Sequence, residues 1–375
     1  MNLIWNRRTR STMLRLVQYL PIRRGRVMCV CWGGNEYSCN PRAITDWMVQ
    51  SGEVRQFEVW YAFVNPERFQ PERPDGIRFT EIGSLEYFRL LATSQFIISN
   101  THLGGWIFWP FPKRKGQIYI LTNHGGFGIK KIEWDAASKL STAYMSSAAE
   151  DVGRVDLMLS NSDFTSRVFR SAYRYPGEVL EQGLPRNDAF VHAPALTGDV
   201  HYLIYTPTFR SKRRDVYGFD VDRVITALEQ RFGGQWYIRV SSHPNMRRYY
   251  KEIYDFSHPR MIDVGLEDLQ PLLLTSDVLI TDYSSAEMDF SLLRRPIFQL
   301  CRDRHDYDRG FYIDPETLPF PYAETDDQLI DNILHFDQSQ YLSALDTFNS
   351  SVVGLHETGH AAQSVVAWML ARMAD

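Results

Sequence analysis

Short apolar runs alternate with amphipathic stretches along most of this chain, which is the pattern of an α/β protein. The runs in the first half have the length of buried strands, and helical stretches separate several of them. These predicted strands lie at 27–32, 57–63, 95–99, 117–121 and 155–159. Apolar periodicity lapses over 191–199, where proline and glycine concentrate, so we predict a linker there.

A second and more regular alternation follows this linker. Its predicted strands lie at 201–206, 236–241, 261–264, 278–281 and 297–300, and its predicted helices at 221–231, 246–254, 266–274 and 285–293. Strands joined by crossovers in this way predict a doubly wound parallel sheet. We therefore expect two such domains facing each other across a cleft, at 27–195 and 196–350. The segment 351–375 contains an amphipathic helix at 357–373, which we expect to pack back across the domain junction.

Charge is uneven along the chain, and an excess of arginine is confined to the segment 1–26. This segment contains seven arginines and no acid, so removing its seven positive charges from the net charge of −4 leaves −11 for the rest. Such local basicity argues against a broad nucleic-acid surface. Because the arginines are interleaved with tryptophan and leucine, the segment suits a helix lying on an anionic membrane surface. An amphipathic helix packed on the body of the protein, or a frayed start, is the alternative.

Hydropathy and cysteine content indicate the compartment. No run of 18 apolar residues occurs, and the N-terminus lacks the apolar core of a signal peptide. The four cysteines show no paired C-x-x-C spacing, which favours reduced, buried thiols over a metal site. We expect a cytoplasmic protein.

The stretch 277–300 places a polar turn directly after a buried strand. Asp282, Ser284 and Ser285 follow the apolar run 278–281 and open a helix. A helix start that carries hydroxyl groups at the carboxyl end of a parallel strand is suited to an anion, here the diphosphate of a nucleotide. Ordinary capping of the helix by Asp or Ser is the alternative.

Other predicted strands of the second domain also end in residues suited to a phosphorylated ligand. The segment TPTFR supplies Thr208 and Arg210, SSHPN supplies His243, and DRHDYDRGFYID supplies Arg309 among aspartates. The carboxyl ends of parallel strands meet at one edge of a sheet, so these side chains are expected to converge. Taken singly, such segments are common turn chemistry.

The first domain contributes the segment LTNHGGFGIKK. His124 follows a predicted strand and precedes Gly125. A histidine in this position can take a proton from a hydroxyl group near neutral pH, and glycine lets a ligand approach the backbone. A histidine that donates to a carbonyl group beside a flexible turn is the alternative.

These segments together resemble the CDP-glycerol glycerophosphotransferases, the teichoic acid and capsule polymerases of bacteria. The resemblance spans about residues 27–314 and rests on motifs in the same order: GNEYSCNPRAI, KGQIYILTNHGGFGIKKI, SNSDFTSRVFR, GLPRND, YTPTFR, SSHPN, SDVLITDYSSAEMDF, RRPIFQL and RGFYID. It implies a GT-B architecture of two Rossmann-like domains, a CDP-linked donor and no cofactor or metal. It also implies peripheral attachment to the inner face of the cytoplasmic membrane.

The resemblance also implies roles for individual residues. His124 matches the proposed base and His243 a histidine proposed to contact the diphosphate. Ser284 and Ser285 match hydroxyl groups near the phosphates. Arg186 and Asp188 lie in the family's G-x-P-R-x-D segment and are candidate substrate contacts. The family commonly has Trp-His-Gly-Thr-Pro around the first histidine, whereas this chain has NHGGF.

The function that we predict is transfer of a polyol phosphate, with glycerol phosphate favoured, from a CDP-linked donor to a hydroxyl group of a membrane-associated or saccharide acceptor in teichoic acid or capsule synthesis. CMP would be released. One alternative is a GT-B glycosyltransferase that uses a nucleotide sugar, because a fold does not by itself determine the chemistry. Another is a non-catalytic nucleotide-binding scaffold.

The segment HETGH near the C-terminus matches the H-E-x-x-H pattern of zinc metalloproteases. Only Asp375 among the 15 residues that follow carries a carboxylate side chain, and Gly359 interrupts the helix that a zinc site needs. We therefore predict that His356 and His360 do not form a zinc site.

Overall fold

The computed structural model of the chain describes residues 16–103, 113–125, 128–208, 210, 216–241, 253–265, 267–307 and 310–374. The chain divides into two units, each built around its own parallel sheet. Unit 1 comprises Met1–His124, Glu133–Asp188 and His356–Asp375, and unit 2 comprises Gly125–Ile132 and Ala189–Leu355. The segment that directly follows His124 in the chain therefore belongs to unit 2.

Unit 1 contains a seven-stranded sheet in the order β3-β2-β1-β4-β5-β6-β7, and every strand pairing in it is parallel. The strands are β1 (Arg23–Val30), β2 (Glu58–Phe63), β3 (Ile77–Glu81), β4 (Ser94–Ser99), β5 (Ile118–Leu121), β6 (Leu157–Ser160) and β7 (Glu178–Glu181). The direction of winding reverses between β1 and β4. Ligands of doubly wound sheets bind at the carboxyl ends of the strands at such a reversal.

The first strand begins at Arg23, before the predicted start at residue 27, and it includes a buried arginine. The Arg26 side chain is 0% exposed, and it donates from Nε to Glu58 Oε2 at 2.9 Å and from Nη1 to Thr93 Oγ1 at 2.5 Å. A charged side chain inside a sheet is tolerated because a carboxylate and a hydroxyl group satisfy it. Strand β1 thus crosses the predicted boundary after residue 26, and Arg26 is not available to a membrane surface.

Helices cover both faces of the first sheet. Those of unit 1 are α1 (Cys39–Ser51), α2 (Leu85–Thr93), α3 (Thr142–Val152), α4 (Asp163–Ala172) and α11 (Ala361–Ala374), and the short α5 (Asp188–Val191) leads into unit 2. The last helix buries Val365, Val366 and Met369 in the same apolar cluster as Val27 and Cys29 of β1. The C-terminal segment is thus part of the core of unit 1.

Unit 2 contains a six-stranded parallel sheet in the order β10-β9-β8-β11-β12-β13. Its strands are β8 (Val200–Thr206), β9 (Gln235–Val240), β10 (Met261–Asp263), β11 (Val278–Thr281), β12 (Ile297–Leu300) and β13 (Tyr322–Ala323). Its described helices are α6 (Val221–Phe232), α7 (Leu269–Leu274), α8 (Ala286–Ser291), α9 (Asp326–Leu334) and α10 (Gln338–Thr347). Winding reverses between β8 and β11, so the ends of these two strands mark the expected ligand site.

Two predictions about helices need separate mention. The helix predicted at 285–293 is shorter, because α8 ends at Ser291. The helix predicted at 246–254 lies almost wholly outside the described residues. Among the helices that the structure describes, none is long and apolar enough to cross a membrane.

A half-buried histidine after β4 connects the stability of unit 1 to pH. His102 Nδ1 lies 3.0 Å from Asp151 Oδ2, and His102 Nε2 lies 3.8 Å from Glu133 Oε1. Burial disfavours the charged ring, but hydrogen bonds and attraction to these two carboxylates outweigh it and raise the pKa of His102 to about 9 from 6.5. The stabilisation is fully present below pH 6.5 and is lost as the pH rises through about 9.

We expect the free energy of unfolding to fall by up to about 3 kcal/mol between pH 6 and pH 9.5 through this one group. In His102→Asn this part of the pH dependence should be missing, since the variant side chain does not titrate. Urea denaturation of both proteins at the two pH values measures the difference. His335→Asn, at a ring whose side chain is 76% exposed, serves as the control. An equal fall in wild type and His102→Asn would contradict the assignment.

Candidate functional site

Three neighbouring strands of unit 1 end beside His124. Trp32 follows β1, Asn100 follows β4, and His124 follows β5. His124 is exposed, and its Nδ1 lies 3.2 Å from the carbonyl oxygen of Asn100. A carbonyl oxygen only accepts hydrogen bonds, so Nδ1 carries the proton and the lone pair of the neutral ring is on Nε2. This is the tautomer that a general base requires at Nε2.

Two side chains hold the backbone of this loop. Asn40 Nδ2 donates to the carbonyl oxygens of Thr122 at 3.2 Å and Asn123 at 2.9 Å. Arg186 Nη1 donates to the carbonyl oxygen of His124 at 2.5 Å, and the Arg186 N–H donates to Asn40 Oδ1 at 3.1 Å. Three consecutive carbonyl groups are thus fixed, although Asn123 adopts φ = 54°. The predicted substrate contact Arg186 has a structural partner in the His124 loop.

Asp188 also has a structural position. Its two carboxylate oxygens accept hydrogen bonds from the N–H groups of Ala361 and Ala362, each at 2.9 Å. These N–H groups belong to the first turn of α11, where a carboxylate is favoured by the helix dipole. The position of Asp188 fits a helix cap, a role that we had not predicted from the sequence.

The H-E-x-x-H segment is not helical. Helix α11 begins only at Ala361, and Gly359 adopts φ = 76°, so the two histidines do not lie one helical turn apart. Glu357 accepts hydrogen bonds from Asn161 Nδ2 at 3.0 Å, Asn187 Nδ2 at 2.7 Å and the Leu184 N–H at 3.1 Å. Glu357 therefore joins the end of the chain to the segments that contain Asn161 and Asn187. The H-E-x-x-H pattern did not predict this structural role.

His356 has acidic neighbours outside the motif. Its Nε2 lies 2.7 Å from Asp163 Oδ1. Ligand atoms of Asp163, Glu181 and His356 lie within 4.8 Å of one another, and both acids are exposed. Surface carboxylates commonly cluster in this way, and the arrangement is explained by the ion pair.

In unit 2, Asp282 connects the ends of β8 and β11. Its carboxylate accepts hydrogen bonds from the N–H groups of Thr208 at 2.9 Å and Tyr283 at 2.6 Å. It therefore orients two loops at the reversal of winding. It does not cap α8, whose preceding residue is Ser285.

Arg210 lies between two carboxylates. It donates from Nε to Asp303 Oδ2 at 2.6 Å, from Nη2 to Asp303 Oδ1 at 2.8 Å and from Nη1 to the Thr208 carbonyl oxygen at 2.8 Å. Its Nη2 also lies 3.0 Å from Asp282 Oδ2, and its side chain is only 8% exposed. Burial alone would lower the pKa of Arg210, but the two carboxylates raise it above the ordinary value. The charge of Arg210 is thus balanced within the protein.

Asp303 is a residue that the sequence reasoning missed. It lies three residues after the end of β12 and is buried. Burial raises its pKa less than Arg210 lowers it, so its pKa is below the ordinary value. The signal was present, because Asp303 is the first acid after a predicted strand.

The serine pair lies where the chain enters α8. Ser284 Oγ accepts a hydrogen bond from the Ala286 N–H at 3.3 Å, while Ser285 Oγ makes no capping hydrogen bond. Gly125 and Gly128, which follow His124 in the chain, lie close to Ser285. A Cβ atom at Gly125 would lie 3.1 Å from Ser285 Oγ, and one at Gly128 would lie 3.6 Å from Ser285 Cβ.

Two backbone hydrogen bonds join the segment Gly125–Ile132 to the rest of unit 2. The Lys131 N–H donates to the Gly310 carbonyl oxygen at 3.1 Å, and the Tyr312 N–H donates to the Ile129 carbonyl oxygen at 2.7 Å. The absence of a side chain at Gly125 thus lets the backbone pass close to Ser285. The approach of a ligand to Gly125 stays a prediction.

Glu287 lies in the first turn of α8, directly after the serine pair. It is 0% exposed and accepts a hydrogen bond from Gln299 Nε2 at 3.0 Å. Burial raises the pKa of Glu287 well above its ordinary value, which favours the neutral form of this side chain.

The remaining predicted site residues, His243 and Arg309, lie outside the described residues. Their roles stay predictions.

Comparison with known proteins identifies relatives over most of the chain. A teichoic acid glycerol-phosphate transferase of Staphylococcus aureus is 27% identical, over 94% of this chain and 95% of the relative. A teichoic acid poly(glycerol phosphate) polymerase of Bacillus subtilis is 26% identical, over 89% of this chain. The match spans only 47% of the length of that polymerase, so this chain corresponds to about half of it.

The fold also has a solved counterpart. A variant of the wall teichoic acid polymerase TagF, solved after a soak with CDPG, superposes with a TM-score of 0.78 at 24% identity and covers 98% of this chain and 94% of that one. This likeness and the two parallel sheets confirm the predicted GT-B fold class.

A family model describes the common character of these relatives. The model of CDP-glycerol:poly(glycerophosphate) glycerophosphotransferases matches residues 12–370. The chain belongs to this family of glycerophosphotransferases.

Proposed function

We propose that this protein transfers a polyol phosphate, glycerol phosphate in the first place, from a CDP-linked donor to a hydroxyl group and releases CMP. Family membership and the relatives' names support the reaction class. The observation that carries the proposal is the His124 ring, whose Nδ1–H···O bond to Asn100 leaves the basic lone pair on Nε2. Teichoic acid or capsule synthesis is the process that fits such a reaction.

The proposed reaction is a displacement at the β-phosphorus of the donor. His124 Nε2 takes the proton of the acceptor hydroxyl group, and the oxygen forms a bond to the β-phosphorus. The bond from this phosphorus to the bridging oxygen breaks, and CMP leaves with the electron pair. Removal of the hydroxyl proton by a fixed base is expected to contribute about 10²–10⁴-fold to the rate.

We assign the donor phosphates to unit 2, at Ser284 and Ser285. Hydroxyl groups and backbone N–H groups at this turn suit phosphate oxygens, and burial favours the neutral form of Glu287, which reduces its repulsion of an anion. Helix α8 has six residues, so its dipole contributes less than the predicted longer helix would. His243 and Arg309 remain candidate phosphate contacts. The proposal needs no cofactor or metal.

Arg210 and Asp282 act in this proposal by positioning the loops. Two carboxylates neutralise Arg210, and a guanidinium group in that state attracts a phosphate only weakly. Arg186 and Asp188 likewise position the His124 loop and α11. These four residues shape the site, and the direct contacts come from His124, Ser284 and Ser285.

We further propose that the protein attaches peripherally to the inner face of the cytoplasmic membrane, where it meets a lipid-linked or saccharide acceptor. Large apolar side chains are exposed at Leu16 (63%), Tyr19 (83%) and Leu20 (40%). The exposed Arg23 and Arg24 follow after two further residues, and Arg114 donates to the Leu20 carbonyl oxygen at 2.7 Å. Apolar side chains beside arginines are suited to the interface of an anionic bilayer.

His124→Ala should lower the rate of CMP release from CDP-glycerol by about 10²–10⁴-fold, because the acceptor hydroxyl group loses its base. CMP is measured by chromatography, with EDTA present throughout to remove metal ions. His335→Ala, far along the chain at an exposed ring, should keep the wild-type rate. A His124→Ala enzyme within threefold of wild type would contradict the assignment.

Arg210→Ala should lower the free energy of unfolding by about 3–5 kcal/mol, because two buried carboxylates lose their shared partner. Urea denaturation measures this loss. Arg304→Ala, which breaks ion pairs with the half-exposed Asp314 and Glu316, should have a much smaller effect. Unchanged stability together with a raised KM for CDP-glycerol would instead make Arg210 a phosphate contact.

The membrane proposal predicts that a Leu16→Ser, Tyr19→Ser double variant sediments less with vesicles of phosphatidylglycerol than wild type does. Point variants are needed, because truncation at residue 27 would remove half of β1. Leu85→Ser, at a position that is 62% exposed in the same unit, is the matched control. Equal sedimentation of the double variant and wild type would refute the proposed surface.

A further inference from the structure

The turn after β1 places a tryptophan in a strained conformation beside His124. Trp32 has φ = 47°, in the left-handed region that bulky residues rarely adopt. Gly33 and Gly34 follow with φ = 63° and 84°, so the turn continues in the same region at residues that adopt it without strain. Backbone strain at a bulky residue persists only where surrounding contacts impose it.

Those contacts lead from Trp32 to His124 through Asn100. The Trp32 N–H donates to Asn100 Oδ1 at 2.8 Å, and the carbonyl oxygen of the same asparagine accepts from His124 Nδ1 at 3.2 Å. Asn100 is 0% exposed, and its Nδ2 has no hydrogen-bond partner among the described residues. Its hydrogen-bonding oxygens are thus directed to the two neighbouring strand ends.

The indole ring completes the arrangement. The ring centroids of Trp32 and His124 lie 4.6 Å apart, with 49° between the ring planes. The hydrogen bond at Nδ1 does not by itself prevent the imidazole from rocking about that bond. An aromatic ring against its face restricts this motion and therefore fixes the direction of Nε2.

We propose that Trp32 is a positioning residue for His124, held in its strained conformation by Asn100 so that the indole ring keeps the imidazole in the orientation for proton transfer. This inference rests on the proposed role of His124 as the base. It assigns Trp32 no contact with the donor.

The variant Trp32→Gly distinguishes a positioning role of Trp32 from a contribution to stability alone. Glycine adopts φ = 47° without strain, and this gain offsets the lost packing of the half-buried indole and the greater freedom of glycine in the unfolded chain, so the variant should unfold within about 4 °C of wild type. Its kcat for CMP release should fall by about 10- to 100-fold, because the base is no longer oriented. The KM for CDP-glycerol should stay within about twofold of wild type. Trp32→Phe retains an aromatic face and should recover most of the lost kcat.

Arg174→Gly is the matched control, since Arg174 is another residue of unit 1 in the left-handed region, with φ = 51°. It should relieve comparable strain without changing kcat. Asn100→Ala removes the acceptor of the Trp32 N–H and should lower kcat as Trp32→Gly does. A loss of stability in Trp32→Gly in proportion to its loss of kcat would overturn the proposal, as would an unchanged kcat.

A second readout does not depend on turnover. Carbon-13 NMR relaxation of the His124 ring reports the amplitude of its motion, and we expect a lower order parameter in Trp32→Gly than in wild type, because the hydrogen bond to the Asn100 carbonyl oxygen remains while the indole ring is lost. Order parameters that are identical in both proteins would overturn the positioning role. If wild type releases no CMP but the order parameters differ as expected, the proposed function fails and the contact between Trp32 and His124 stands.

Discussion

The hydrogen bonds from Asn40 and Arg186 to the carbonyl groups of residues 122–124 are the constraint on which the site in unit 1 depends. Unpaired carbonyl groups at the end of a buried strand would be costly, and this loop has no regular secondary structure to satisfy them. The two side chains remove that cost and determine the path of the chain into His124. The tautomer and orientation of the ring follow from the position of the loop.

The segment that carries Arg186 connects this loop to the end of the chain. Leu184 and Asn187 donate to Glu357, and Asp188 caps α11. The last helix, which covers β1, is therefore fastened to the same segment that holds His124. Arg186, Asp188 and Glu357 were predicted as substrate contacts or belong to a metal-binding pattern, but their polar groups form these structural hydrogen bonds. The bonds connect parts of unit 1 that are distant in sequence.

In unit 2, the loops at the strand ends are held by ion pairs. Arg210 joins the loops after β8 and β12, and Asp282 joins those after β8 and β11. A buried ion network of this kind organises loops, but its charges are already balanced. In the function that we propose, the anion is therefore recognised by the hydroxyl groups of the serine pair rather than by these charges.

Much of the fold could be predicted, because central strands are continuous apolar runs, and β11 and β12 have the predicted bounds. The edge strands β3 and β7 were missed, since IRFTE and EVLE carry the polar residues that an edge tolerates. Arg26 was read as surface charge because a buried ion pair depends on Glu58, which is distant in sequence. The position of His124 at a strand end was predictable. Its partners Trp32 and Asn100 were not, since they depend on the order of strands in the sheet.

One measurement tests the reaction that we assign most directly: incubation of the purified protein with CDP-glycerol, CDP-ribitol and a set of nucleotide sugars, followed by identification of the nucleotide released. We expect CMP from a CDP-linked polyol and no release from the sugars, because the β-phosphorus is the centre attacked. Release of a nucleoside diphosphate from a nucleotide sugar would show attack at an anomeric carbon and would contradict phosphotransfer.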